Sequence, residues 1–133
     1  MFSSCKKRYL FAIYELGFDG REVHCKDIAR SLGIKCPSAS KMLKAIALEG
    51  LIDKEYYGTV RFTARGVRIA NELYTRYLLL YAFFSETLQV SPENARRDAI
   101  FSLCDLSEES IDKISGVTLT AAVKKKSSPF SGD

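Results

Sequence analysis

The chain has 133 residues and a mass of 14.9 kDa, enough for one domain or two small lobes sharing a helix and too little for a large multidomain enzyme. Hydrophobic residues make up 47% and charged residues 27%, which excludes a wholly disordered or collagen-like chain. The net charge of +4 is unevenly spread: residues 1–75 carry 13 Lys and Arg against 8 Asp and Glu, residues 76–123 carry 4 against 7, and so the first half is the one suited to a polyanion.

At the N-terminus, Lys6, Lys7 and Arg8 precede the apolar run Tyr9 to Tyr14, but Glu15 interrupts it and no small-residue cleavage site follows, so a signal peptide is not expected. Tyr9, Leu10, Ile13, Tyr14 and Leu16 recur at helical spacing and predict a first helix of about a dozen residues, closed by Gly17 and Gly20. Ile28, Ala29 and Leu32 predict a short second helix over about 26–32 that Gly33 stops. Pro37 then sits where a first helical turn favours proline, and Met42, Leu43, Ile46 and Ala47 give a third helix its apolar face as far as Glu49-Gly50. Two short helices joined by a Gly-containing turn make a helix-turn-helix, whose second helix is the one presented to a DNA major groove.

The runs 51–56 and 59–63, separated by Tyr57-Gly58, read as a β-hairpin. From Arg65 a long helical pattern carries Val67, Ile69, Ala70, Leu73, Tyr74, Tyr77 and Leu78 and continues through Tyr81 and Phe84 to Leu88. Its second half is apolar nearly all round and includes the longest apolar stretch, Tyr77 to Phe84, far short of the roughly 20 residues a membrane helix needs. So apolar a helix must be covered on several sides, which predicts a homodimer interface through Tyr77, Leu80, Tyr81, Phe84 and Leu103. Ser91-Pro92 and Ser107 start two further helices, the first with a capping serine, and past Gly116 the Lys/Ser/Pro/Gly-rich end reads as a flexible tail. The expected fold class is therefore mainly α with a small β-hairpin: a winged helix-turn-helix domain over 1–64, a helical dimerisation domain over 65–116 and a tail over 117–133.

In this order and spacing, several stretches carry a resemblance: Tyr9 to Tyr14, Asp27 to Leu32, Ser38 to Leu43, Glu49 to Ile52, Tyr56 to Gly58, Phe62 to Gly66, and Leu106-Ser107 before Ile111-Asp112. Together they resemble the DtxR/MntR family of metal-dependent transcriptional repressors, in the short form without an SH3-like domain, from Tyr9 to about Ile114. The resemblance implies a homodimer that binds double-stranded DNA and is switched by manganese(II) or iron(II). It places the metal ligands on the first helix, on the long helix and on the next one. In this sequence the matching positions are Arg8, Phe11, Tyr77, Ile100, Leu103 and Cys104, of which only Cys104 keeps a donor the family uses. A hard divalent cation needs oxygen or imidazole donors, so no metal cofactor is expected and the switch is expected to be lost or altered. In its place, Phe11, Ile100 and Leu103 are expected to substitute apolar packing for the ion.

The candidate DNA contacts are Lys35, Ser38, Ser40, Lys41 and Lys44 around the third helix, with Tyr57 and Arg61 on the hairpin, where a wing that touches nothing is nearly as good a reading. His24, the one histidine, reads as a residue leading into the second helix, since neither further ligands nor an orienting partner stand near it in sequence. The four cysteines show no C-x-x-C pair and read as reduced thiols in a cytoplasmic protein, Cys104 as a buried one. No Gly-rich phosphate loop or catalytic carboxylate pair is present, so neither an enzyme nor a small-molecule substrate is expected. The competing reading is a protein-interaction module derived from such a regulator that no longer binds DNA.

Overall fold

The computed structural model describes residues 2–54 and 58–127, and the chain divides into two units, Met1–Tyr74 and Thr75–Asp133. In the first, α1 (Ser4–Leu16) is capped by Ser3, whose Oγ accepts a hydrogen bond from the Lys6 backbone N–H at 3.2 Å, and it buries Tyr9 to Ile13. Helix α2 (Cys25–Leu32) ends at Gly33, whose φ of 67° is a left-handed conformation that disfavours a side chain, and the Ile34 N–H returns to the Ala29 carbonyl at 2.9 Å. That tight stop releases the chain directly into α3 (Cys36–Leu48), which buries Ala39, Leu43 and Ile46 on one side.

The wing is a three-stranded antiparallel sheet in the order β1 (Val23–His24), β3 (Thr59–Phe62), β2 (Ile52–Lys54). Val23 pairs with Val60, and Asp53 with Arg61. Strand β1 goes beyond the expected hairpin, because two residues are too few to show an alternating pattern. His24 both ends this strand and leads α2, and its N–H donates to the Asp27 carboxylate at 3.0 Å.

Helix α4 (Ala64–Ala82) starts with Thr63, whose Oγ1 accepts from the Gly66 N–H at 3.0 Å and donates to the Gly50 carbonyl at 2.7 Å. Gly66 packs straight onto backbone: a Cβ there would lie 1.8 Å from the Leu51 carbonyl oxygen. The first unit extends to Tyr74, beyond the boundary expected at 64/65, because the first part of α4 packs with α1; Tyr74 lies 5.9 Å from Phe11 and 4.9 Å from Tyr14 between ring centroids.

In the second unit, α4 gives way to a π-helical turn, Phe83–Thr87, where the Leu88 N–H reaches the Phe83 carbonyl at 3.0 Å; the α-helix expected to run on to Leu88 therefore ends at Ala82. Helix α5 (Pro92–Asp105) begins after Ser91, whose hydroxyl makes no capping bond although a serine cap was expected. Helix α6 (Glu108–Ser127) is capped by Ser107, whose Oγ accepts from the Ser110 N–H at 3.1 Å, and Arg76 pairs with Glu108 at 2.9 Å.

The tail expected from residue 117 is helix as far as Ser127. Gly116 does not stop it, because Ile111, Ser115 and Thr118 form an inward face and the Thr118 hydroxyl donates to the Leu79 carbonyl at 3.1 Å, while the exposed Lys124 and Lys125 sit favourably near a helix C-terminus. Part of the apolar run expected to need a second copy is covered by the chain itself. Tyr77, Leu80 and Leu103 are buried within the single chain, and Tyr81 and Phe84 are half-buried. Among the described residues, no helix is long and apolar enough to cross a membrane.

Two glycine substitutions separate these packing constraints. Gly66→Ala should cost about 3 kcal/mol or more, at the upper end of overpacking, because only backbone can yield. Gly116→Ala, with nothing within 4 Å of the added Cβ, should stabilise α6 by about 0.5–1 kcal/mol. Urea unfolding of the two variants beside the parent measures both.

Candidate nucleic-acid interface

Burial of Ala39, Leu43 and Ile46 fixes how α3 is rotated about its axis, and the residues left outward are Ser38, Lys41, Lys44 and Leu48. Their spacing of three or four residues puts them on one stripe. Leu48, at 90% exposed, closes the stripe with an apolar end. Lys35 precedes the helix at its N-cap and makes no side-chain capping bond, and Pro37 in the first turn has no N–H to satisfy.

The seven expected DNA contacts are not equivalent in the structure. Lys35, Ser38, Lys41 and Lys44 are exposed along α3. Ser40 is half-buried on the flank of the helix and accepts a hydrogen bond from Lys54 Nζ at 2.7 Å, which ties α3 to β2 rather than presenting the hydroxyl outward. Arg61 is exposed on β3, in register opposite Asp53 on β2. Tyr57 lies outside the described residues. Lys54 is the cation that sequence reasoning missed: its run reads as a strand, but nothing in the pattern says that its ammonium group reaches across to α3.

The far end of α3 is fixed by charge and by backbone satisfaction. Lys6 Nζ pairs with the Glu49 carboxylate at 2.6 Å, and Arg65 donates to the Glu49 carbonyl at 2.7 Å. Carbonyls that a helix C-terminus leaves without intrahelical donors are thus met by the segment that starts α4.

The positions matched to metal ligands do not carry a suitable donor set. Phe11 is buried and stacked against Tyr74, Tyr77 is buried with its hydroxyl accepting from Arg96 at 3.2 Å, and Leu103 is fully buried. Phe11, Ile100 and Leu103 have no lone pair to offer, Arg8 is a cation, and the buried Cys104 is a soft donor. Among the described residues, no group of three or more His, Cys, Asp or Glu side chains is placed to hold an ion. The residues present do not fit a manganese or iron ion.

Comparison with known proteins gives concordant results. Residues 1–60 match the family described as iron dependent repressor, N-terminal DNA binding domain. The chain is 38% identical over 104 residues to the transcriptional regulator MntR of Escherichia coli O6:H1 and 35% identical over the same length to that of Salmonella typhimurium. Each alignment covers 78% of this chain and 66% of the relative, so the chain spans about two-thirds of those proteins. Among solved structures, the manganese regulator SloR is similar with a TM-score of 0.69 at 25% identity, and T. acidophilum IdeR shares the fold with a TM-score of 0.71 at 23% identity. Each of these covers 84% of this chain and 52% of the other.

Proposed function

The chain belongs to the DtxR/MntR family of metal-dependent transcriptional repressors, and from that premise we propose that it is a DNA-binding transcriptional regulator, repressor-like, that inserts α3 into the major groove of double-stranded DNA. The observation that carries this reading is the outward stripe of Ser38, Lys41 and Lys44 on a helix whose opposite side is wholly buried. Lys35 supplies a phosphate contact at the start of α3, while Lys41 lies close enough to that start to reach a base edge. Lys44, a turn further on, meets backbone phosphate. Lys54 acts through Ser40 as a positioning residue. No catalytic step is assigned, and the site of action is wherever the cell keeps its DNA, the cytoplasm in a bacterium.

The regulator works without the family's ion. Side chains without donor atoms at three of the matched positions support this, and so does the cation at a fourth. It acts as a homodimer, because a helix-turn-helix protein reads two half-sites about one helical turn apart. With Tyr77, Leu80 and Leu103 already covered, the half-buried Tyr81 and Phe84 and the exposed Leu78 and Phe101 remain as apolar surface for the second copy.

A salt titration of binding to random-sequence duplex DNA tests the central claim. The affinity of the parent should fall steeply as salt rises. Lys44→Ala should weaken binding to all sequences alike and lower the salt slope by about 1, whereas Lys41→Ala should cost discrimination of about 1–3 kcal/mol at the base it contacts. A parent that binds no DNA would leave the interaction-module reading standing. Calorimetric titration with manganese should show no micromolar site, and a chelator should leave DNA affinity unchanged; a site that tightens the DNA complex would restore the ion. Sedimentation at micromolar concentration should give the dimer mass.

A further inference from the structure

We propose that Cys25 and Cys36 form a modification site, a thiol pair that a hydroperoxide oxidises to an intramolecular disulfide joining the two helices of the helix-turn-helix. Each residue is the first of its helix, Cys25 in α2 and Cys36 in α3. The Cys25 Sγ donates to the Cys36 carbonyl oxygen across 3.8 Å, so the sulfur of one residue already rests against the backbone of the other. The two thiols differ in a useful way: Cys36 is exposed to solvent and Cys25 is half-buried behind it.

Electrostatics place the same groups together. Burial pushes the Cys25 thiol above its ordinary pKa, the Lys54 ammonium pulls it back down, and the Cys36 sulfur raises it again, so cation and second sulfur both lie within reach of Cys25. Tyr9 is raised first by burial and then by the Cys5 and Cys25 sulfurs, which makes Cys5 the competing partner. Cys104 is buried in the other unit.

The chemistry balances with a hydroperoxide as the oxidant. The exposed Cys36 thiolate attacks the peroxide oxygen, the O–O bond breaks, and the leaving alkoxide or hydroxide takes a proton, which leaves Cys36 as a sulfenic acid. The Cys25 thiolate attacks that sulfur, the S–S bond forms as the S–O bond breaks, and the departing hydroxide takes a proton and leaves as water. Two thiols lose two electrons and two protons, and the peroxide is reduced by the same two electrons. A dithiol reductant reverses the change.

The consequence for DNA rests on the proposed function; the disulfide does not. Sulfur atoms in a disulfide are about 2.05 Å apart, so Cys36 must turn from solvent toward α2 and draw the first turn of α3 with it. That turn carries Ser38 and follows Lys35, and the oxidised protein should therefore bind DNA at least tenfold more weakly.

Treating the full chain with stoichiometric hydrogen peroxide, alkylating it and digesting it without reductant identifies the product by mass spectrometry. The expected result is a Cys25–Cys36 linked peptide with Cys5 and Cys104 alkylated. Affinity for random duplex DNA should drop tenfold on oxidation and return with dithiothreitol, while Cys25→Ser under the same peroxide should keep the affinity of its own reduced form. A Cys5–Cys25 link, or Cys36 oxidised with no link, overturns the site. A Cys25–Cys36 link with unchanged affinity overturns its regulatory consequence. If the reduced parent binds no DNA, the proposed function fails, and the linked peptide still decides the site.

Discussion

The winged half of this protein depends on a place where there is no room for a side chain. Gly66, in the first turn of α4, lies against the Leu51 carbonyl, and around that contact Thr63 and Arg65 receive the carbonyls of Glu49, Gly50 and Leu51. The first of these is the cap of α3 and the other two lead from it into β2, so bonding them from the start of α4 joins α3, both longer strands of the wing and the long helix at one point. The outward stripe of α3 is aimed by this junction as much as by its own buried face, because a helix anchored on one side only is free to tilt about its core contacts.

Charge in this half is less available than composition suggests. The excess of Lys and Arg over residues 1–75 is real, but much of it is committed internally: Lys6 to Glu49, Lys54 to Ser40, and Arg65 to a backbone carbonyl. Arg61 faces Asp53 across the ladder. Lys35, Lys41 and Lys44 are left outward along α3, as Lys26 and Arg30 are on α2 and Arg68 is on α4. Local placement, and not net charge, therefore decides which cations face solvent.

The winged helix was legible because its signals are local. Gly33 stops one helix, Pro37 starts the next, and the apolar residues of α3 recur with a period that only one rotation of the helix can bury. What escaped the sequence depends on partners far away in the chain. The bond from Lys54 to Ser40 joins residues of two elements, and β1 is too short to alternate. Gly116 looks like a stop, yet the burial of Ile111 and the bond from Thr118 to the Leu79 carbonyl carry α6 through it. The pattern marks the run from Tyr77 as apolar all round, and only the fold shows Tyr77, Leu80 and Leu103 buried within one chain.

The π-turn at Phe83–Thr87 has a consequence for how the chain turns back. It closes the helix with a wider ring, the Leu88 N–H on the Phe83 carbonyl at 3.0 Å, and the Val90 N–H then reaches the Phe84 carbonyl at 2.8 Å. Between them Gln89 takes a φ of 57°, so the reversal into α5 runs through a left-handed residue other than glycine, a conformation that costs the backbone something and that a glycine there would relieve.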